Sequence, residues 1–153
     1  MTDRPLLVAV PNVSEGSDTA VLEALEWALH PAAFLDLHRD EDHGRAVFSV
    51  AARQGDLAAA LLSFAREVVR RVDLTRHGGI HPHVGALDVM PVVYPDLASR
   101  GAACAEALTA AGLIGEELVI PVILYGELAS KPEHRERAWL RAGGWQALAQ
   151  RLE

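Results

Sequence analysis

A glycine-rich loop with three histidines is the stretch whose residue types are best suited to chemistry. His77, His81 and His83 lie within seven residues, and a predicted strand begins shortly afterwards at Leu87. Histidine is the side chain whose ordinary pKa lies nearest to neutrality, so it is the usual proton carrier in enzymes. Binding and catalytic groups are often placed on loops that a rigid scaffold positions. The spacing therefore predicts a site of proton transfer in this loop.

Two other interpretations of the loop stay open from sequence. The first is a polar connector whose histidines share no role. The second is a metal site, because His77 and His81 are four positions apart, a spacing that two metal ligands can have. His83 or Asp42 would have to complete the set of about three protein ligands that catalytic zinc needs. Two glycines and Pro82 disfavour a helix here, and no cysteine pair is present, so we predict that no metal is bound.

Two further polar clusters could contribute to the same site. The turn at residues 40–45 contains Asp42 and Arg45, and an arginine can hold a carboxylate through two hydrogen bonds. Arg76 is a second candidate for that role. Asn12 follows the first predicted strand, where the sequence also has helix-capping composition. Charged turns and caps are commonly only solvated, and that interpretation stays open for both clusters.

The elements that must position these clusters follow from hydrophobic periodicity. Strands are predicted at residues 6–10, 33–37, 46–51, 87–94 and 119–125. Helices are predicted from an N-cap at Asp18 to Pro31, from an N-cap at Asp56 through Val68, over residues 96–111 up to Gly112, and over residues 133–152 with a break at Gly143 and Gly144.

This order predicts an α+β fold, a ferredoxin-like split βαβ sandwich extended by one helix, one strand and one helix. Helices would lie mainly on one face of the sheet. The other face would then need a cover, which predicts a homo-oligomer or a partner domain.

Composition narrows the class of protein. The 153 residues suit one domain spanning 1–153, and a net charge of −7 disfavours a nucleic-acid-binding surface. No apolar run approaches the roughly 20 residues of a membrane-spanning helix, so no membrane partner is predicted. Cys104 is the single cysteine, and the first residues lack the layout of a signal peptide. We therefore expect a protein of the reducing cytoplasm.

The polar clusters, in this order, resemble the N-terminal subdomain of glutamate formiminotransferase, which also forms the first part of formiminotransferase-cyclodeaminase. The matching stretches are residues 10–16, 40–45, 77–89, 120–126 and 141–143. The resemblance extends over essentially the whole chain, and the stretch at 77–89 is the most specific. The resemblance implies a ferredoxin-like subdomain that transfers a formimino group between N-formimino-L-glutamate and tetrahydrofolate, the latter as a substrate.

The resemblance also implies roles for single residues. It makes His81 the catalytic histidine, with Asn12 and Arg45 as binding residues. Asp42, His77, His83 and Asp88 are further candidates for binding substrate or folate, and Asp42 or Asp88 could orient the His81 ring. The chain departs from the family pattern at three positions. Gly44 replaces a usual asparagine, Ile80 a usual acidic residue and His83 a usual arginine.

Several functions therefore remain in competition. One is a formimino transferase that needs a second subdomain from another chain, since the resemblance implies two subdomains. Another is a non-catalytic relative that binds folate or a small anionic ligand, or serves as an interaction subunit. A histidine-metal hydrolase is the third, and elemental analysis would test it.

Overall fold

The fold combines an antiparallel sheet with helices. A computed structural model of the chain describes residues 4–80 and 83–152. The strands in that part are β1 Leu6–Ala9, β2 Asn12–Val13, β3 Ala33–Asp40, β4 Arg45–Arg53, β5 Leu87–Val89 and β6 Val92–Val93. The helices are α1 Thr19–Ala28, α2 Leu57–Arg71, α3 Arg100–Leu118, α4 Arg137–Arg141 and α5 Gly144–Leu152. Short 3-10 turns are at Leu74–Arg76, Leu97–Ser99, Gly126–Leu128 and Pro132–Arg135.

The long strand β4 organises the sheet. It pairs with β1 and β2 along one edge and with β3 along the other, and all of these pairings are antiparallel. β6 extends the sheet beyond β1, and β5 extends it beyond β2. Prolines separate β1 from β2 and β5 from β6, because a proline has no N–H to donate to the ladder. The two breaks between strands lie next to each other, because the Val10 N–H donates to the Pro91 carbonyl at 3.0 Å.

The two faces of the sheet differ. Alternate β4 residues Ala46, Phe48, Val50 and Ala52 are buried in a core that includes apolar residues of α1, α2 and α3. The other alternate residues face away from that core, because side chains alternate along a strand. We call this second side the outer face, and by strand register it carries Val8, Asn12, Arg45, Val47 and Val93. The prediction of an α+β fold is confirmed.

A distant carboxylate holds the beginning of α2. Asp56 occupies the predicted N-cap position, but its carboxylate contacts Arg4 at 2.9 Å instead of capping the helix. Glu106 of α3 accepts hydrogen bonds from the backbone N–H groups of Gly55 at 2.5 Å and Ala58 at 2.8 Å. The free N–H groups of a first helical turn need such acceptors, and Glu106 is only 5% exposed. α3 therefore supplies the cap that we assigned to Asp56.

We expect Glu106→Ala to lower the free energy of unfolding by about 2–3 kcal/mol, since two N–H groups lose a charged acceptor in a buried place. Glu116→Ala is the matched control, because Glu116 is an exposed residue of the same helix. Urea unfolding of both variants measures the difference. Equal losses from the two variants would contradict the capping role.

The C-terminal third departs most from prediction. α3 continues through Gly112 to Leu118 because Leu113 and Ile114 pack into the core. It ends where Val119 adopts a left-handed conformation with φ of 54°. The strand predicted at 119–125 is wrong, since these residues do not pair with the sheet that the structure describes. Its apolar residues instead line a cleft, and Pro121 has no N–H for a ladder.

The predicted C-terminal helix is present in broken form. A 3-10 turn precedes α4, and α5 begins at Gly144 after Gly143, whose φ is 77°. Within residues 4–80 and 83–152, no helix is long and apolar enough to cross a membrane.

Candidate active site

Asn12 and Arg45 meet on the outer face of the sheet. Asn12 pairs with Val47 across β2 and β4, and Arg45 lies two residues earlier on β4, so both side chains point to the same side. An Arg45 Nη2 group donates to Asn12 Oδ1, and Asn12 Nδ2 donates to the Val10 carbonyl at 2.8 Å. Asn12 is 4% exposed. Two of the predicted polar clusters are therefore joined, and both ends of the Asn12 amide are held.

The histidine loop is fastened to the end of β2. His77 Nδ1 lies 3.2 Å from the Ser14 carbonyl, and the His77 and His83 ring centroids are 4.2 Å apart. Ser14 also donates from Oγ to the Gly85 carbonyl at 2.8 Å and from its N–H to the Ala86 carbonyl at 2.9 Å. A carbonyl only accepts, so Nδ1 of His77 carries the proton of this hydrogen bond. Nε2 of His77 is buried and has no hydrogen-bond partner among the described residues.

The turn at residues 40–45 packs against the same loop. The Ile80 N–H donates to the Asp42 carbonyl at 3.1 Å. The Asp42 side chain is exposed, so the contact that the structure gives Asp42 is through its backbone. Asp40 accepts from the His43 N–H at 2.9 Å, and this hydrogen bond lowers the pKa of the Asp40 carboxyl below its ordinary value. The backbone of the turn therefore supports the loop.

Gly79 is required by the close approach of loop and turn. A Cβ atom at Gly79 would lie 2.2 Å from the His43 carbonyl oxygen, whereas one at Gly78 would meet no atom within 4 Å. We expect Gly79→Ala to reduce stability by about 1–3 kcal/mol, because the backbone must shift to relieve the clash. Gly78→Ala is the matched control and should change stability much less. Thermal melting of both variants provides the comparison, and similar melting temperatures would count against this packing.

His81 lies outside the described residues, so its predicted role stays a prediction. Its neighbour Ile80 is 76% exposed. Within residues 4–80 and 83–152, no group of three or more histidine, cysteine, aspartate or glutamate residues is arranged to hold a metal ion. His77 and His83, the ligands that the alternative metal interpretation would use, are in ring contact with each other.

Asp88 forms a buried ion pair that sequence reasoning missed. An Arg141 Nη2 group contacts Asp88 Oδ2, and the Val84 N–H donates to Asp88 Oδ1 at 2.8 Å. The Asp88 side chain is 4% exposed and that of Arg141 is 22% exposed. The binding role predicted for Asp88 stays a prediction. The two contacts of its carboxylate connect the loop to α4.

Three arginines gather around this carboxylate. Burial lowers the pKa of Arg45, the charges of Arg141 and Arg137 lower it further, and the charge of Asp88 opposes them. Arginine nevertheless stays protonated at neutral pH. The region is therefore cationic despite the acidic average of the chain. Arg141 lies in one of the matching stretches, but nothing in its sequence position distinguishes it from a solvated helix-end cation.

Comparison with known proteins agrees with this arrangement. Residues 6–153 match the family described as formiminotransferase domain, N-terminal subdomain. The chain belongs to this family.

Relatives of this formiminotransferase subdomain include formimidoyltransferase-cyclodeaminases. That of Sus scrofa is 34% identical over 97% of this chain and 28% of the relative, and that of Gallus gallus is 36% identical over the same shares. The glutamate formimidoyltransferase of Streptococcus pyogenes serotype M1 is 30% identical over 96% of this chain and 50% of the relative. The chain thus spans half or less of the length of these relatives.

One departure from the formiminotransferase pattern has a structural reason. Gly44 has φ of 62°, a left-handed conformation that glycine and asparagine adopt most readily. The glycine therefore preserves the backbone conformation that the usual asparagine would support. In this chain a Cβ at Gly44 would lie 2.7 Å from His77 Cε1, so His77 occupies the space that a side chain would need.

Proposed function

We propose that this chain supplies one half of a site for transfer of a formimino group between N-formimino-L-glutamate and tetrahydrofolate. Its family and the meeting of Asn12, Arg45 and the histidine loop on one face support this proposal. The joined Asn12–Arg45 pair is the observation that carries it. It presents a guanidinium, held in position, at the side of the loop where a carboxylate-bearing substrate would bind.

His81 is the proposed proton carrier. A ring amine of tetrahydrofolate attacks the formimino carbon and forms a new C–N bond. His81 accepts the proton that this amine loses and returns it to the glutamate nitrogen as the older C–N bond breaks. No net proton or electron is gained by the protein. His77, with its Nδ1 proton directed to the Ser14 carbonyl, helps to hold this loop against the end of β2.

We also infer a ferredoxin-like arrangement for a single domain spanning residues 1–153. Three observations support it: the order strand, helix, two strands, helix, strand; the antiparallel pairings; and the helical core on one face. A reducing compartment such as the cytoplasm fits Cys104, which is a free thiol.

The outer face is the proposed contact with a second subdomain or a second copy. Val93 is 44% exposed there, next to Val8 in the sheet. We expect wild type to associate at micromolar concentration and Val93→Glu to weaken that association, because the charge would be buried in an apolar contact. Leu97→Glu, at a residue already 82% exposed in a 3-10 turn, is the control. Sedimentation showing a strict monomer for wild type would count against self-association.

The transfer reaction is tested by incubating formiminoglutamate and tetrahydrofolate with the chain alone and with the C-terminal half of the Streptococcus pyogenes relative. Chromatography of formimino-tetrahydrofolate and glutamate gives the rate. We expect transfer in at least the mixed sample, because half of a cleft buries less of a ligand than a complete one. Equal rates with and without protein in every combination would overturn the proposal.

A non-catalytic relative that binds an anionic ligand is the second candidate. Exposed Ile80 in place of an acidic residue, and His83 in place of an arginine, favour it. Calorimetry with tetrahydrofolate and with glutamate separates the two functions. Binding without transfer in any combination supports the second candidate.

A further inference from the structure

A large apolar cleft lies at the side of the proposed site. Its volume is about 520 Å³, within the range of small-molecule sites. Its walls are β5 and β6, the middle of α3, residues 120–126, and the two C-terminal helices. On α3 the lining residues include Ala103, Cys104, Ala107 and Ala111, whose small side chains leave the space open. The unpaired residues 120–125 form the wall opposite α3.

One end of the cleft carries hydrogen-bond donors. Tyr125, Arg137 and Arg141 all line it. Tyr125 Oη and Arg141 Nε are buried and have no hydrogen-bond partner within the residues that the structure describes. Burial raises the pKa of Tyr125, so its hydroxyl keeps its proton and can donate at neutral pH. The charges of Arg137 and Arg141 oppose this effect of burial on the Tyr125 pKa.

The charges at this end fit a monoanion. Among the residues that line this end, Arg137 and Arg141 carry two positive charges and Asp88, which is paired with Arg141, carries one negative charge. The lining there has one positive charge in excess. The other acidic residue of the lining, Glu127, is already bound to Arg100 at 2.6 Å and to the Tyr94 hydroxyl at 3.3 Å. A dianionic phosphate would carry more negative charge than this single excess positive charge can balance, whereas one carboxylate balances it. The long apolar walls require an apolar body behind the charged group.

We propose that this cleft binds a small carboxylate with an elongated apolar body, its carboxylate held by Tyr125, Arg137 and Arg141. This inference does not require formimino transfer. The single excess charge selects a monocarboxylic acid, and the apolar walls select an aliphatic body. The apolar body lies along α3 and the carboxylate lies towards Asp88 and the outer face.

Calorimetry with octanoate tests the proposal on the full chain, with octanol as the uncharged control. We expect octanoate to bind more than about tenfold more tightly than octanol, since hydrogen bonds to charged groups contribute more than one decade of affinity. No binding of octanoate, or equal binding of octanoate and octanol, overturns the proposal.

Three variants locate the binding. Ala107→Phe fills the cleft and should abolish binding, whereas Ala105→Phe, at an exposed residue of the same helix, should not. Tyr125→Phe and Arg137→Gln should each weaken binding of the acid but not of octanol. Circular dichroism checks that each variant is folded. Unchanged affinity in folded Ala107→Phe overturns the proposal, as does a dimer that this substitution breaks, because a second copy would then occupy the cleft.

The transfer assay distinguishes a failure of the cleft proposal from a failure of the proposed function. Transfer that persists without acid binding rejects the cleft proposal alone. Acid binding without transfer in any combination rejects the proposed reaction alone.

Discussion

His81→Ala is expected to reduce formimino transfer by roughly 100- to 10,000-fold, which is the usual contribution of one positioned proton carrier. The attacking amine must lose a proton and the leaving nitrogen must gain one, and His81 is the proposed group for both transfers. The thermal melting temperature should change little, because a catalytic histidine lowers the barrier of the reaction and contributes little to the stability of the fold. Steady-state rates and melting curves of wild type and variant measure the two effects.

A structural role for His81 would give a different pair of results. Removing a buried, packed histidine should lower stability by roughly 1–3 kcal/mol. His30→Ala is the control, because His30 is exposed at the far end of α1 and should leave transfer unchanged. If His81→Ala keeps most of the wild-type rate, the assignment is wrong. His77 or His83 would then be the next residue to test.

Arg141→Met is expected to lower the free energy of unfolding by about 3–5 kcal/mol, because it leaves the Asp88 carboxylate buried without its cation. The Asp88 side chain is 4% exposed, so water cannot replace the guanidinium. Chemical denaturation at pH 7 measures the loss. The loop should also loosen, since Asp88 holds the Val84 N–H as well.

A double variant distinguishes the ion pair from lost packing. Asp88→Asn in the Arg141→Met background removes the buried charge and should recover a large part of the lost stability. Arg135→Met is the single-variant control, at an exposed arginine just before α4. Additive effects of Asp88→Asn and Arg141→Met would show that the two side chains do not interact energetically.

Local periodicity was sufficient for the elements that carry a regular apolar pattern. α2 and the hairpin of β3 and β4 are found where alternation and helical spacing placed them. The prediction of a strand at 119–125 was wrong, because a run of apolar residues can line a cleft as well as form a buried strand. Only tertiary contact decides between these outcomes.

The sequence motifs selected residues of the polar site but not all of their contacts. The structure brings Asn12 and Arg45 together, and their role in binding stays a prediction. The ion pair of Asp88 could not be predicted, because Arg141 lies 53 residues away along the chain and comes close only when α4 folds back. Glu106 was missed for the same reason. Side chains that act across long sequence separations leave no periodic signal.

The cap that Glu106 provides for α2 also bears on the order in which the chain folds. Gly55 and Ala58 precede their acceptor by 51 and 48 residues. During synthesis the first turn of α2 therefore emerges well before the carboxylate that completes it, and closing so long a loop costs entropy. The beginning of α2 would fray in the nascent chain, while its apolar face can already pack on β4. Docking of α3 then completes that turn, so the middle of the chain reaches its final stability only after residue 106 has left the ribosome.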